Sequence, residues 1–191
     1  MNYKKIFRSQ RLRFLILKSL SFIPDSVMLK LQYWIKMNRR LNLRNPDRFT
    51  EKIQVYKIHY RNHLMGQCVD KYEVRKYVES KGLSYTLNKL YAVCSNPYDI
   101  DFNALPDRFV IKSTDGGGGE NILICRDKAS LDTDKVLADI SGWKNKKNIN
   151  AGREWAYTCI KDSRYIVEEY LENESNPEAG ISDYKFFCFD G

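Results

Sequence analysis

RFVIKSTDGGGGENILIC, residues 108 to 125, is the stretch on which the reading of this chain turns. RFVIKS is a short strand pattern that carries Lys112. Four consecutive glycines follow, Gly116, Gly117, Gly118 and Gly119, and then NILIC, whose β-branched and apolar residues read as a second strand. Glycine adopts positive φ freely and lets backbone N–H groups crowd around an anion. A lysine beside such a loop holds a phosphate as a point charge. An ordinary two-residue hairpin turn needs at most two glycines, and four lose more chain entropy than a turn requires. The pattern therefore predicts a loop that covers a nucleoside triphosphate, with a plain surface turn as the alternative.

Other phosphate loops do not fit. A P-loop places its lysine after the glycines and opens a helix, and a dinucleotide loop also runs from strand to helix. Here the lysine precedes the glycines and a strand follows them. A protein-kinase loop joins two strands, but its lysine lies on a later one.

Alternation along RFVIKS puts Phe109 and Ile111 on one face and Val110 and Lys112 on the other. Ser113 and Thr114 add hydroxyls near the loop, while Asp115 and Glu120, which flank it, read as turn-forming or solvated. A second strand pattern, RYIVEEYL (164 to 171), carries Glu168 and Glu169 on opposite faces. Two acids on an apolar strand are awkward to bury unpaired, which favours a polar site over a strand edge in water. Asp183 and Lys185 lie two apart in DYKFFCF, so they share a face if that run is a strand; a structural ion pair is the alternative. His59 and His63 have i, i+4 spacing, but without a third ligand or an intervening general base they are not expected to bind metal.

The order of strand, lysine, glycine-rich hairpin and strand resembles that of ATP-grasp enzymes. More narrowly, NPDRFTEKIQVYKIHYRN, IKSTDGGGGENILI, YIVEEYL and DYKFFCFDG together resemble the TupA-like ATP-grasp family, over roughly residues 40 to 191. That family is named for teichuronopeptide biosynthesis and recurs among bacterial surface-polysaccharide genes. The resemblance implies an α+β ATP-grasp fold with an N-terminal helical region and ATP as the bound nucleotide. Lys112 would hold the α- and β-phosphates, with Lys71 as a second phosphate lysine; an ordinary helix-surface lysine is an equal reading of Lys71. Glu169 best matches the acceptor of the adenine amino group, beside Glu168, and the backbone of Tyr170 and Leu171 would meet the adenine edge. Asp183 matches the acid that bonds the ribose hydroxyls, and Lys185 would reach phosphate. The implied reaction is ligation of a carboxylate to an amine through an acylphosphate, in capsular or teichuronopeptide-like polymer synthesis. Magnesium is implied as well, on ligands expected beyond residue 191, so that the large lobe reads as incomplete. Glycosyl transfer from a nucleotide-sugar is an alternative, supported only by the spacing of Asp99 and Asp101. A non-catalytic nucleotide-binding or membrane-surface protein is another.

Composition bounds these readings. A chain of 191 residues buries a real core in one or two domains. With 13 Tyr, 9 Phe and 43% apolar residues it is a folded protein rather than a disordered one. Its formal charge of +8 is uneven: residues 1 to 60 hold 14 Lys and Arg against 3 Asp and Glu, and residues 61 to 191 hold 18 against 21. The basic character thus belongs to the N-terminal third. A basic amphipathic helix on an anionic membrane is one reading of it, a helix packed on the core with a solvated face is the other, and no nucleic-acid partner is expected. The apolar run RLRFLILKSLSFIP is interrupted by Lys18 and too short to span a bilayer, and it lacks a signal-peptide cleavage pattern. Five scattered cysteines without a CxxC pair point to a reducing cytoplasm.

Four regions are expected: a basic helical region (1–65), a segment before the ATP-grasp core (66–107), the small lobe with the glycine hairpin (108–168) and the start of the large lobe (169–191). Helical spacing predicts helices over 6–20 and 26–40, one from an N-cap at Thr50 to about Tyr60, one within 69–83 that Asp70 starts or caps and Gly82 ends, and one capped near Asp132 and ended by Gly142. Strands are predicted over 86–94, on both sides of the glycines, in RYIVEEYL and in DYKFFCF.

Overall fold

A computed structural model describes residues 16, 17, 19–117, 119, 121–143, 152–173, 176, 181 and 184–188. Its helices are α1 (Asp25–Met37), α2 (Phe49–His59), α3 (His63–Val69), α4 (Glu73–Ser80) and α5 (Thr133–Ser141). Its strands are β1 (Leu90–Cys94), β2 (Phe109–Ser113), β3 (Ile122–Cys125) and β4 (Tyr165–Glu169). They form one antiparallel sheet in the order β1-β4-β2-β3, so β4 returns from late in the chain to lie between β1 and β2. The fold is α+β, as expected.

The register sorts the sheet into two faces. Phe109, Ile111, Tyr165 and Val167 share one face and pack with Val136 and Ile140 of α5. These side chains are almost wholly buried, and each stabilises the fold by about 1.5–3 kcal/mol on leaving water. The Tyr165 hydroxyl satisfies itself by donating to the Ile140 carbonyl at 3.1 Å. The other face carries Val110, Lys112, Ile166 and Glu168. A smaller core of Leu29, Tyr33 and Leu41 lies under α1. The Arg153 guanidinium ties this region to the rest of the fold, donating to the carbonyls of Leu20 at 2.8 Å and Ile23 at 2.9 Å and pairing with Asp25 at 2.9 Å.

Several local expectations hold. The Asp132 side chain caps α5 by accepting from the Lys135 N–H, and Gly82, at φ 72°, follows the end of α4. Asp70 starts the next helix as expected: it is extended (φ −78°, ψ 120°), and its carboxylate accepts the N–H groups of Tyr72 and Glu73 at 2.8 and 2.9 Å. Others are corrected. The cap of α2 is not Thr50, whose hydroxyl pairs with the Tyr33 hydroxyl at 2.9 Å. Glu51 instead reaches back to the N–H groups of Asp47 and Arg48, each at 3.1 Å. The strand predicted over 86–94 starts only at Leu90, after a 3-10 turn at Ser84–Thr86. Residues 184–188 form no strand and are exposed: they add no ladder to either sheet edge. The helix predicted over 6–20 lies mostly outside the described residues.

Candidate functional site

The polar centre of the molecule is the face of the sheet turned away from α5. Glu168 stands opposite Val110 in the β2–β4 ladder and Lys112 opposite Ile166, so their side chains are diagonal neighbours. The Lys112 ammonium lies 2.8 Å from one Glu168 oxygen, and Arg75 of α4 donates to the other at 3.3 Å. Glu168 is only 6% exposed. A carboxylate so buried needs compensation, and here two cations supply it. Arg75 is itself fixed by the Asn88 carbonyl at 2.7 Å.

The glycine loop leaves this face at the end of β2. The Ser113 N–H donates to the Asn121 carbonyl at 3.1 Å, closing the hairpin, and the Gly116 N–H turns back to the Ser113 carbonyl at 3.2 Å. Gly119 has φ 83°, a conformation that L side chains rarely adopt, and a Cβ there would meet nothing within 4 Å. A Cβ on Gly117 would stand 3.5 Å from the Tyr157 hydroxyl. Gly118 and Glu120 lie outside the described residues.

Lys71 reaches the loop from below. The break between α3 and α4 puts its backbone N–H on the Thr114 carbonyl at 3.0 Å. Its ammonium donates to the Ser113 carbonyl at 3.1 Å and to the Gly116 carbonyl. Burial holds the Lys71 pKa below the usual 10.5; Asp115 opposes that shift and the like charge of Lys112 adds to it. Two lysines from separate elements therefore converge on the base of one glycine loop.

Asp115, which reads from sequence as a turn or solvated residue, forms a cluster here. Its carboxylate accepts from the Ser113 and Ser163 hydroxyls, the latter at 2.8 Å, and the two hydroxyls lie 2.9 Å apart. The cluster pins the loop to the residues entering β4. Thr114 makes a second pin: its N–H donates to the Arg164 carbonyl at 2.9 Å, and its hydroxyl accepts from the Arg164 N–H at 3.1 Å.

Glu169 lies on the sheet face of Phe109, away from Lys112, and its N–H donates to the Lys89 carbonyl at 2.9 Å. Tyr170 and Leu171 follow β4 outside the ladder, with the Arg108 guanidinium 5.4 Å from the Tyr170 ring centre. Lys185 is exposed, and Asp183 lies outside the described residues. A cleft of about 570 Å³ adjoins the loop base, sharing Asp70 and Arg164 with it; His63, Gln67, Glu73 and Asp162 also line it. The Arg164 guanidinium donates to Glu73 at 2.6 Å, while its Nε is buried without a partner among the described residues. Sequence reading missed Arg75. Its signal was indirect, since a glutamate on an apolar strand requires counter-charges from elsewhere in the fold.

The profile of TupA-like ATP-grasp proteins matches residues 51–191. The chain belongs to the TupA-like ATP-grasp family. No curated protein and no solved structure matches it. ATP is accordingly the nucleotide this TupA-like chain has to accommodate. Positive charge beside the loop suits that anion: Lys71 donates to the loop's own Ser113 and Gly116 carbonyls, and Lys112 lies near enough to act on Lys71 as a like charge. No group of three or more His, Cys, Asp or Glu among the described residues could hold a metal ion, and the magnesium ligands are expected beyond residue 191.

Proposed function

We propose that this TupA-like chain binds ATP with its triphosphate under the glycine loop and uses it to join a carboxylate to an amine. In that reaction a carboxylate oxygen attacks the γ-phosphorus and ADP leaves. The amine nitrogen then attacks the acyl carbon, inorganic phosphate leaves and the nitrogen loses a proton. The chain's own residues bind and orient. Lys112 exchanges Glu168 for the α- and β-phosphates, Lys71 supplies a second positive charge from below, and the loop covers the triphosphate. Ser113 keeps its hydroxyl in the Asp115 cluster and thereby fixes where the loop starts. Adenine is assigned to the stretch Glu169–Leu171, where the backbone leaves the ladder. Asp183 is assigned to the ribose and Lys185 to phosphate, as the family likeness suggests. The acceptor is taken to be a precursor of a bacterial surface polymer, and the compartment the cytoplasm, in keeping with five free cysteines.

The observation that carries this reading is the convergence of Lys112 and Lys71 at the loop base. Calorimetric titration of the folded chain with magnesium-ATP and with a UDP-sugar, alongside Lys112→Ala, tests it. ATP binding that weakens at least tenfold in the variant is the expected result. No ATP binding, or binding of the UDP-sugar in its place, overturns the proposal.

A further inference from the structure

We infer that the outward face of α1, with the basic segment after it, seats on the surface of an anionic lipid bilayer. The argument uses none of the residues assigned to ATP. Leu29 and Tyr33 turn one side of α1 into the small core. Val27, Leu31 and Trp34, at i, i+4 and i+7, form a stripe on the opposite side, and they are 54%, 42% and 52% exposed. Phe22, just before the helix, is 81% exposed. A helix that buries one face should present polar groups on the other; α1 presents a tryptophan and two aliphatic side chains.

The charge around this stripe has one sign. Lys30, Lys36, Arg39, Arg40, Arg44 and Arg48 are all exposed. Among the described residues only Arg48 of these has an ion pair, a loose one of 3.8 Å to Glu51. The acids of the same stretch are largely engaged: Asp25 pairs with Arg153 at 2.9 Å, and Glu51 is buried under backbone N–H groups. That leaves Asp47 as the remaining acid against these cations. Aromatic and aliphatic side chains ringed by Lys and Arg are what a helix lying in a headgroup layer requires, the apolar stripe entering the acyl boundary and the cations meeting lipid phosphates. A nucleic acid would use the cations and leave the apolar stripe in water. A second copy of the chain would bring like charges together. With 13 residues, α1 is too short to cross the bilayer and lies along it.

Sedimentation of the full chain with vesicles tests the inference, using phosphatidylcholine alone or mixed with phosphatidylglycerol. Binding to the anionic vesicles only is expected, weakening with salt. Each cation removed, as in Arg39→Ala and Arg40→Ala, should weaken it by about fivefold. Leu31→Glu with Trp34→Glu should abolish it while the thermal transition and ATP titration stay unchanged. Equal binding to neutral vesicles, binding that survives the glutamates, or dimerisation through the stripe without vesicle binding would each overturn it. Because these variants leave the glycine loop intact, failure of the ATP reading and failure of the membrane reading show up in separate measurements.

Discussion

Lys112 and Glu168 face each other at 2.8 Å from neighbouring strands, and the glutamate is held from its other side by Arg75 at 3.3 Å. The pairing poses a problem for ATP binding. If Lys112 moves to a phosphate, a carboxylate 6% exposed would lose its counter-charge unless a second cation stays behind. Arg75 is that cation, and it does not depend on Glu168 for its place, because the Asn88 carbonyl holds it at 2.7 Å.

Arg75→Ala should therefore weaken ATP binding, although Arg75 lies outside the loop. It leaves Glu168 dependent on Lys112 alone. The substitution should also cost about 3 kcal/mol of stability, the usual penalty for breaking a buried ion pair. Adding Glu168→Gln removes the orphaned charge, so the double variant should recover most of both losses. Urea unfolding and ATP titration of the four proteins measure this. A double variant as impaired as Arg75→Ala would show that Arg75 acts in some other way.

Lys71 should give nucleotide binding an unusual alkaline limit. Burial keeps its folded pKa below 10.5, so it loses its proton at a lower pH than an exposed lysine. ATP affinity should fall as pH rises through that lowered value, and Lys71→Arg should move the fall to higher pH. Stability has the opposite sign. Between the lowered folded pKa and the ordinary value the unfolded chain binds more protons, so the Lys71 contribution to stability rises with pH in that window. Titrations and melts of Lys71→Arg and wild type across the alkaline range decide both points. Superimposable affinity profiles would remove Lys71 from the phosphate site.

Why some of this was legible in the sequence, and some not, depends on how far apart the determinants lie. The glycine hairpin, β2 and β4 are local patterns: alternation marks the strands and four glycines mark the loop. The ion pair between Arg75 and Glu168 joins residues 93 apart, and no local pattern encodes it. Asp70 was legible as a helix start by residue type, whereas the bond from the next residue, the Lys71 N–H to the Thr114 carbonyl of the glycine hairpin, has no local signal. Thr50 was a reasonable cap by type, but its hydroxyl is taken by Tyr33 from another helix. Local signals thus located the loop, and tertiary hydrogen bonds set what surrounds it.

Gly66 marks a place where two segments touch. A Cβ built on it would lie 2.6 Å from the Cβ of Cys159, in the 3-10 turn Trp155–Cys159. Neither atom is the far end of a flexible side chain, so Gly66→Ala should cost about 1–3 kcal/mol despite the better helix propensity of alanine. Cys159→Gly should relieve that cost. Thermal unfolding of the single and double variants is the test, and a neutral Gly66→Ala would mean that the turn shifts freely away from α3.

The Asp115 cluster should behave as one unit. Its carboxylate accepts hydroxyls from both strand ends of the loop base, Ser113 at the end of β2 and Ser163 before β4. Hydrogen bonds to a charged group contribute about 1.5–3 kcal/mol each, so Asp115→Ala should destabilise the fold and weaken ATP binding by loosening the loop it anchors. The Ser113 and Ser163 hydroxyls also bond to each other at 2.9 Å, so removing Asp115 leaves them a partial substitute. The effects of Asp115→Ala and Ser163→Ala should then be non-additive, with a coupling of about 0.5–3 kcal/mol in a double-mutant cycle read by urea unfolding. If the two losses simply add, the cluster is three independent contacts, and the glycine loop takes its position from the Lys71 and Thr114 backbone bonds instead.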